Sequence, residues 1–233
     1  MKKVFLLALL AVGMTANAET FVANDNEGAE INDGGIKLDD DSNWKMHFYV
    51  GIDIPTGAPD GVDFAPFRSW EIGATLAQYE YTPKNLKTTL CAGIGVDWRN
   101  YTLSGHDKMF AKVNDIVGVY DRKGDMSELA SRISTCSLSL PLMVKQSFNK
   151  DFAISLGAQL NWNFYSRVNN YYEENDNEID IQTKKIGERP ITIDVLGMLH
   201  FGDFAVYCKY SPMSVLKKDK GPDFKSLAVG FYF

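Results

Sequence analysis

The stretch Ser104-Gly105-His106-Asp107 holds the residue types of nucleophilic catalysis close together. A serine hydroxyl, an imidazole and a carboxylate are the three groups of a Ser/His/Asp hydrolase. In such enzymes each group approaches the reacting atom from a different direction, so sequence neighbours seldom form the triad. The sequence therefore predicts that the protein is not an enzyme. An enzyme that uses His106 is the alternative.

A second chemical pattern is the alternation of acidic residues in the segment 173–180. Asp176, Glu178 and Asp180 offer oxygen ligands of the kind that calcium prefers, but their spacing and the missing glycine do not match an EF-hand loop. A solvated acidic loop is expected instead. The cysteines also lack the spacing of a metal site; they are Cys91, Cys136 and Cys208. No metal and no cofactor are predicted.

The elements that must position these residues are strands, because apolar and polar residues alternate strictly over most of the chain. Residues 86–101 are the clearest case, with Leu90, Val96 and Trp98 on one side and Gly95 and Asp97 on the other. Eight segments show the pattern: 44–54, 69–81, 86–101, 132–145, 152–167, 190–201, 204–211 and 224–233. The sequence predicts an all-β fold, an eight-stranded antiparallel up-and-down transmembrane β-barrel.

The connections between these segments alternate in length. Short turns follow the second, fourth and sixth strands, at 82–85, 148–151 and 202–203. Long loops follow the odd strands, at 54–68, 102–131, 168–189 and 212–223. Short turns at one end and long loops at the other are typical of an outer-membrane barrel, with the turns in the periplasm.

The composition of the two strand faces indicates which one meets the membrane. The polar face is small and nearly uncharged at mid-strand, which suits a narrow lumen better than open water. The apolar face carries aromatic residues at two levels, as in the girdles at membrane interfaces. This expected aromatic belt consists of Trp70, Trp98, Trp162, Phe231 and Phe233. A soluble barrel with its apolar face inward also alternates and is the competing interpretation.

An eight-stranded barrel is just wide enough for side chains to fill its interior. The expected polar network of the lumen comprises His47, Tyr49, Asp53, Glu71, Lys87, Asp97, Arg99, Gln159, Asn161, Asn163, Arg167, Asp194, His200 and Lys209. Enclosed charges must be paired and hydrogen-bonded. The favoured interpretation is a polar plug, and a narrow proton or ion path is an alternative. His47 and His200 near one end also leave open a metal or pH-sensitive site.

Three domains are expected along the chain. Residues 1–18 have the basic start, apolar run and small-residue cleavage site of a signal peptide. Residues 19–43 form an acidic, flexible lead-in on the periplasmic side, with eight acids against Lys37 alone. Residues 44–233 form the barrel. Since this body is nearly neutral, nucleic acid is not an expected partner.

The carboxyl-terminal stretch YSPMSVLKKDKGPDFKSLAVGFYF resembles the closing hairpin of the PorT-like outer-membrane β-barrel proteins, and the architecture is similar to the small OmpA/OmpX-type barrels. The resemblance implies export to the outer membrane of a Gram-negative bacterium, where outer-membrane lipid surrounds the barrel. It also implies that the barrel-assembly machinery reads the strand ending at Phe233. It implies little about activity.

The long loops are the expected place for function. A turn at 122–124 is predicted to fold a hairpin whose exposed strand edge binds an extracellular protein partner by β-augmentation. A mobile loop is the alternative for this segment. The sequence thus favours a structural or surface-interaction role through the loops 102–131 and 168–189. A lipid-modifying outer-membrane enzyme and a narrow, porin-like ion channel are the alternatives.

Overall fold

The computed structural model describes residues 31–32, 35–37, 44–84, 86–105, 107–121, 130–174 and 177–233. Within these ranges the regular secondary structure is strand, apart from a single 3-10 turn at Pro66–Arg68. No helix in the described parts of the chain is long and apolar enough to cross a bilayer. The leader, most of the lead-in and His106 lie outside the described residues.

Eight strands form one closed wall: β3 (Trp44–Thr56), β4 (Trp70–Tyr81), β5 (Thr88–Thr102), β8 (Ala130–Ser147), β9 (Phe152–Glu174), β11 (Ile191–Phe201), β12 (Phe204–Ser211) and β13 (Lys225–Tyr232). Each pairs antiparallel with its neighbour along the chain, and β13 closes the wall by pairing with β3. The predicted fold class, an eight-stranded antiparallel up-and-down barrel, is confirmed.

Five further strands lie outside this wall: β1 (Ile31–Asn32), β2 (Gly35–Lys37), β6 (Lys108–Val113), β7 (Ile116–Asp121) and β10 (Asn177–Lys184). In the lead-in, β1 and β2 form a short hairpin, and β2 pairs with the start of β3. β6 and β7 form a separate hairpin in the loop between β5 and β8. β10 extends the sheet beyond β9.

The outer wall is apolar and the interior is polar. Leu156 is 65% exposed and Leu140 is 40% exposed, whereas Asn161 is 1% exposed. Large apolar side chains lie on the outer surface of every strand of the wall, as a transmembrane barrel requires. Glycines admit large rings to the narrow interior: a Cβ on Gly73 would overlap the ring of Tyr49, and one on Gly51 would overlap Tyr207.

Two β-bulges change which residues face inward. In β4 the register with β5 shifts between Thr75 and Ala77, which turns Gln78 into the interior. A strict alternation along β4 would have placed Gln78 and Glu80 on the lipid face. The bulge avoids this unfavourable position for polar side chains. In β9, Phe164 is the extra residue opposite the step from Cys136 to Ser137. A bulge inserts one residue into a period of two, so every later side chain changes face.

Candidate functional site: the lumen and the loop end of the barrel

The centre of the lumen is an ion-pair network around Arg99. Its guanidinium Nη2 lies 2.7 Å from Asp97 Oδ2 and 2.5 Å from Asp194 Oδ2. Nη1 donates to Ser211 Oγ at 3.0 Å, and Nε lies 3.3 Å from Glu71 Oε2. A planar guanidinium presents several donors in fixed directions, which allows one side chain to join carboxylates from different strands.

Lys209 is the second cation of this network. Its Nζ lies 2.8 Å from Glu71 Oε2 and 3.0 Å from Asp97 Oδ2, and 4.8 Å from the centre of the Tyr49 ring. The hydroxyl of Tyr207 donates to Glu71 Oε1 at 2.5 Å. Since these groups come from β3, β4, β5 and β12, the contacts connect opposite walls of the barrel across the lumen.

Acidic groups outnumber basic groups at this level of the barrel. Asp53, Glu71, Asp97 and Asp194 are each 0% exposed, against the two cations Arg99 and Lys209. Hydroxyl and amide donors supply the remaining contacts: Ser226 donates to Asp53 Oδ1, and Asn161 donates to Asp194 Oδ2 at 2.7 Å. Charge-assisted hydrogen bonds of this kind are what make enclosed carboxylates tolerable.

The end of the lumen near the short turns holds a second polar group. His47 stacks on Tyr232, with ring centres 4.8 Å apart, and its Nδ1 lies 3.2 Å from the carbonyl oxygen of Phe233. The Nε2 atom of His200 lies 2.7 Å from Ser155 Oγ. Both histidines line one void of about 10 Å³, the size of a water molecule. No three His, Cys, Asp or Glu side chains in the described ranges are placed to hold a metal ion.

Most residues expected in the lumen are found there, and a few lie at its edge. The buried ones are His47, Tyr49, Asp53, Glu71, Asp97, Arg99, Gln159, Asn161, Asp194 and Lys209. Asn163 is half-buried at the loop end, where its amide donates to Arg189 O at 2.7 Å. His200 is half-buried at the opposite end.

Two expected lumen residues lie elsewhere. Lys87 is exposed in the turn before β5, because that strand begins only at Thr88. Arg167 follows the Phe164 bulge, which reverses the facing of β9. Its guanidinium therefore lies 5.7 Å from the centre of the Trp98 ring on the outer wall.

The expected aromatic belt lies on the outer wall. Trp162 is 58% exposed, and Trp98 packs against Tyr165 with ring centres 6.0 Å apart. Trp70 is half-buried, and its pair with Asn100 lies two steps along the ladder from the Ile72–Trp98 pair. At the short-turn end, Phe231 and Phe233 are about half exposed, with ring centres 6.4 Å apart.

Sequence reasoning missed several lumen partners, namely Tyr207, Ser211 and Ser226. The alternation could have identified two of them, because Tyr207 and Ser211 lie on the same face of β12 as Lys209.

Sequence reasoning also missed an apolar cluster that closes the loop end of the barrel. This upper core consists of Tyr101, Leu103, Phe110, Val117, Ile133, Val168, Ile186, Leu216 and Phe224, each no more than 2% exposed. Residues from three long loops and from strand ends meet here.

The loop 102–131 contains a hairpin, formed by β6 and β7. Asn114 and Asp115 have positive φ angles of 51° and 65°, and they connect β6 to β7. Asn and Asp tolerate this conformation, which two-residue hairpin turns require. The turn expected at 122–124 lies outside the described residues.

Both edges of this hairpin are held by neighbours. The Phe110 N–H donates to Ser131 Oγ and its carbonyl accepts from Asn170, each at 2.8 Å. The Val117 N–H donates to Lys220 O at 2.8 Å. In contrast, β10 pairs through one edge with β9, and no strand in the described ranges pairs with its other edge.

An exposed ion pair secures the hairpin turn. Asp115 accepts hydrogen bonds from Lys112, at 2.7 Å, and from Lys220. These two lysines lower the pKa of Asp115 to about 2, from a usual value of 3.8. A lowered pKa in the folded protein stabilises the turn at pH values above 3.8, and this contribution is lost as the pH falls toward 2.

Acid is therefore expected to loosen the hairpin. Between pH 4 and pH 2, hydrogen–deuterium exchange at the amides of β6 and β7 should accelerate relative to that of β8. Asp115→Asn should show the faster exchange already at pH 7 and little further change in this window. Equal exchange in the two proteins at pH 7 would contradict the role of Asp115.

The comparisons with known proteins show a likeness of shape. No family model and no curated protein matches the sequence, so membership of the PorT-like family stays a prediction. Among solved structures, the chain is similar to Ail, the attachment invasion locus protein of Yersinia pestis, with a TM-score of 0.35 and 11% sequence identity. The alignment covers 82% of this chain and 97% of Ail.

Proposed function

We propose that this protein is a non-enzymatic barrel of the outer membrane of a Gram-negative bacterium, exported by its signal peptide, with a structural or surface-interaction role. The observation that carries the proposal is the inverted distribution of polarity. Aliphatic side chains cover the outer wall, while charged residues fill the inside of a closed barrel. In water this arrangement would expose a broad apolar surface, which soluble proteins avoid; in hydrocarbon it is the stable arrangement.

The lumen supports a structural role. The network of Arg99 and Lys209 fills the centre, and the upper core covers it at the loop end. One interior void near the short turns and another beside Lys209 measure about 10 Å³ each. A lumen that is filled by side chains and crossed by ion pairs acts as a plug that holds the strands together. In planar bilayers the purified protein should therefore give no discrete single-channel currents, and reproducible currents would favour the narrow-channel alternative.

The outer membrane location has a direct test. The protein expressed with its leader should fractionate with outer membranes, and the purified form should migrate faster in an unheated detergent gel than after boiling. Such heat-modifiable migration reports a closed barrel that detergent alone does not unfold. A protein that stays in the soluble fraction, with no shift in migration, would contradict the proposal.

The free edge of β10, with which no strand in the described ranges pairs, supports the surface-interaction role. The strand holds eight residues, all paired with β9 between Asn177–Glu174 and Lys184–Arg167. An unpaired edge offers a row of N–H and C=O groups to an extended segment of another protein. Ile181, at 42% exposure, adds an apolar contact beside it. This edge differs from the predicted one, which belonged to a hairpin turning at 122–124, outside the described residues.

Neighbouring proline substitutions can test this edge. Alternate residues of a strand direct their N–H groups to opposite edges. Of Ile181→Pro and Gln182→Pro, one therefore removes a hydrogen bond to β9 and the other removes a donor from the free edge. The probe is a biotinylated peptide of residues 167–174, the segment that pairs with β10 in the fold. We expect the free-edge variant to lose peptide capture while keeping the amide protection of β9. Unchanged capture by that variant would contradict β-augmentation at β10.

Catalysis has no comparable support in the geometry. Ser104 and Asp107 are both exposed, and His106 lies outside the described residues. A His106→Ala strain should contain the same lipid A as the parent strain. A difference in lipid A acylation would favour the lipid-modifying enzyme instead.

A further inference from the structure

The outer wall contains an apolar groove where β4, β5, β8 and β9 run side by side. The groove encloses about 360 Å³, and its walls include Tyr79, Tyr81, Leu90, Leu142 and Leu156. It forms because Ala92 pairs with Tyr79 on one side and with Leu142 on the other, so a methyl group lies between two large side chains. A volume of this size is within the range of small-molecule sites.

The groove lies at the short-turn end of the barrel. Its pair Tyr81–Leu90 is the last one in the β4–β5 ladder, directly before the turn that joins these strands. Given the orientation in the proposed function, this end meets the inner leaflet of the outer membrane. The inference therefore rests on that function and on the turns facing the periplasm.

Exposed positive charge lies beside the groove. Lys84 and Lys87 are both exposed in the β4–β5 turn, which contains no acidic residue. The neighbouring β8–β9 turn carries Lys150 and Asp151, which offset each other, and the β11–β12 turn carries Asp203 alone. Among the three short turns, a net positive charge is thus found only in the one next to the groove.

The aromatic girdle is interrupted at the same place. Six phenylalanines form a continuous series of ring contacts around β9, β11, β12 and β13, with centres 5.5–6.4 Å apart. These are Phe148, Phe152, Phe201, Phe204, Phe231 and Phe233. The segment 79–91 contains no phenylalanine and presents Tyr79, Tyr81 and the two lysines instead. One side of the rim thus differs from the rest in shape, polarity and charge.

We propose that this groove binds an anionic glycerophospholipid of the inner leaflet. One acyl chain lies in the groove against Ala92, and the phosphate accepts hydrogen bonds from Lys84 and Lys87. Apolar burial supplies the attraction for the chain, and the charge of the turn selects an anionic headgroup over a zwitterionic one.

Native mass spectrometry of the folded protein can test this site, with phosphatidylglycerol and phosphatidylethanolamine supplied in equal amounts. Wild-type protein should retain one phosphatidylglycerol in preference to phosphatidylethanolamine. Ala92→Phe fills the groove and should lower retention about tenfold, the effect expected when about two methylene groups lose their contact. Cys208→Phe adds the same bulk to the exposed wall of β12 and should retain lipid like the wild type.

The preference for phosphatidylglycerol tests the role of the two lysines. The double variant Lys84→Gln and Lys87→Gln should lose the preference for phosphatidylglycerol, and Lys218→Gln, an exposed lysine at the loop end, should keep it. Equal retention of both lipids by the wild type would overturn the inference, as would unchanged retention by Ala92→Phe. A dimer without bound lipid, dissociated by Ala92→Phe, would assign the groove to a second copy of the chain. If the protein retained no lipid but still showed heat-modifiable migration, the barrel would be folded. The lipid site would then be excluded while the proposed function would stand.

Discussion

Arg99→Met should lower the free energy of unfolding of the barrel by about 3–5 kcal/mol, the cost of leaving buried charges without a partner. Arg99 contacts Asp97, Asp194 and Glu71 within 3.3 Å, and all three carboxyl groups are inaccessible to water. Methionine keeps much of the volume but removes the donors, so the effect would come from charge and hydrogen bonding. Urea unfolding in lipid vesicles, followed by tryptophan fluorescence, measures the change.

A second substitution separates pairing from packing. Asp194→Asn in the Arg99→Met background removes one unpaired carboxylate but keeps one oxygen, which can accept from either Asn161 or Ser211. The double variant should therefore be more stable than the sum of the two single changes predicts, by about 0.5–3 kcal/mol. Arg68→Met, at an exposed position, should change the stability by no more than about 0.5 kcal/mol. Strict additivity would show that Arg99 acts through its volume alone.

Leu140→Arg should have the largest effect of any substitution on the outer wall. Leu140 is 40% exposed and pairs with Leu160 in the middle of β8, far from either strand end. A charged residue on the lipid face costs about 2–4 kcal/mol at the bilayer midplane and about 0–1 kcal/mol near the interface. The reduction should appear in the free energy of unfolding measured in vesicles.

The control for this prediction is the same substitution near the interface. Phe164 is 54% exposed, close to the level of the tryptophans, and Phe164→Arg should cost about 0–1 kcal/mol. The difference between the two positions reports depth in the bilayer, because both side chains are exposed in the isolated barrel. Equal and small effects at the two sites would indicate that water surrounds the wall, in favour of the soluble-barrel interpretation.

The sequence determined the wall of this barrel almost completely. The eight alternating segments match the observed strands within a few residues at most ends, and the facing of Val96, Leu140 and Leu156 follows from the period of two. The reason is that alternation is a property of neighbouring residues. The lengths of the turns follow from where one alternating segment ends and the next begins. Most residues expected in the lumen, such as Asp97 and Asp194, lie there for the same reason.

Tertiary structure decided what depends on contacts between distant residues. A bulge at Phe164 moved Arg167 to the outer wall, and one extra residue gives no clear signal in a single sequence. Which carboxylates share Arg99 depended on bringing β4, β5 and β11 together across the lumen. The upper core depended on loops whose apolar residues show no period. Local alternation therefore specified the strands and their faces, whereas the pairing of charges and the closure of the loop end were specified only when the barrel closed.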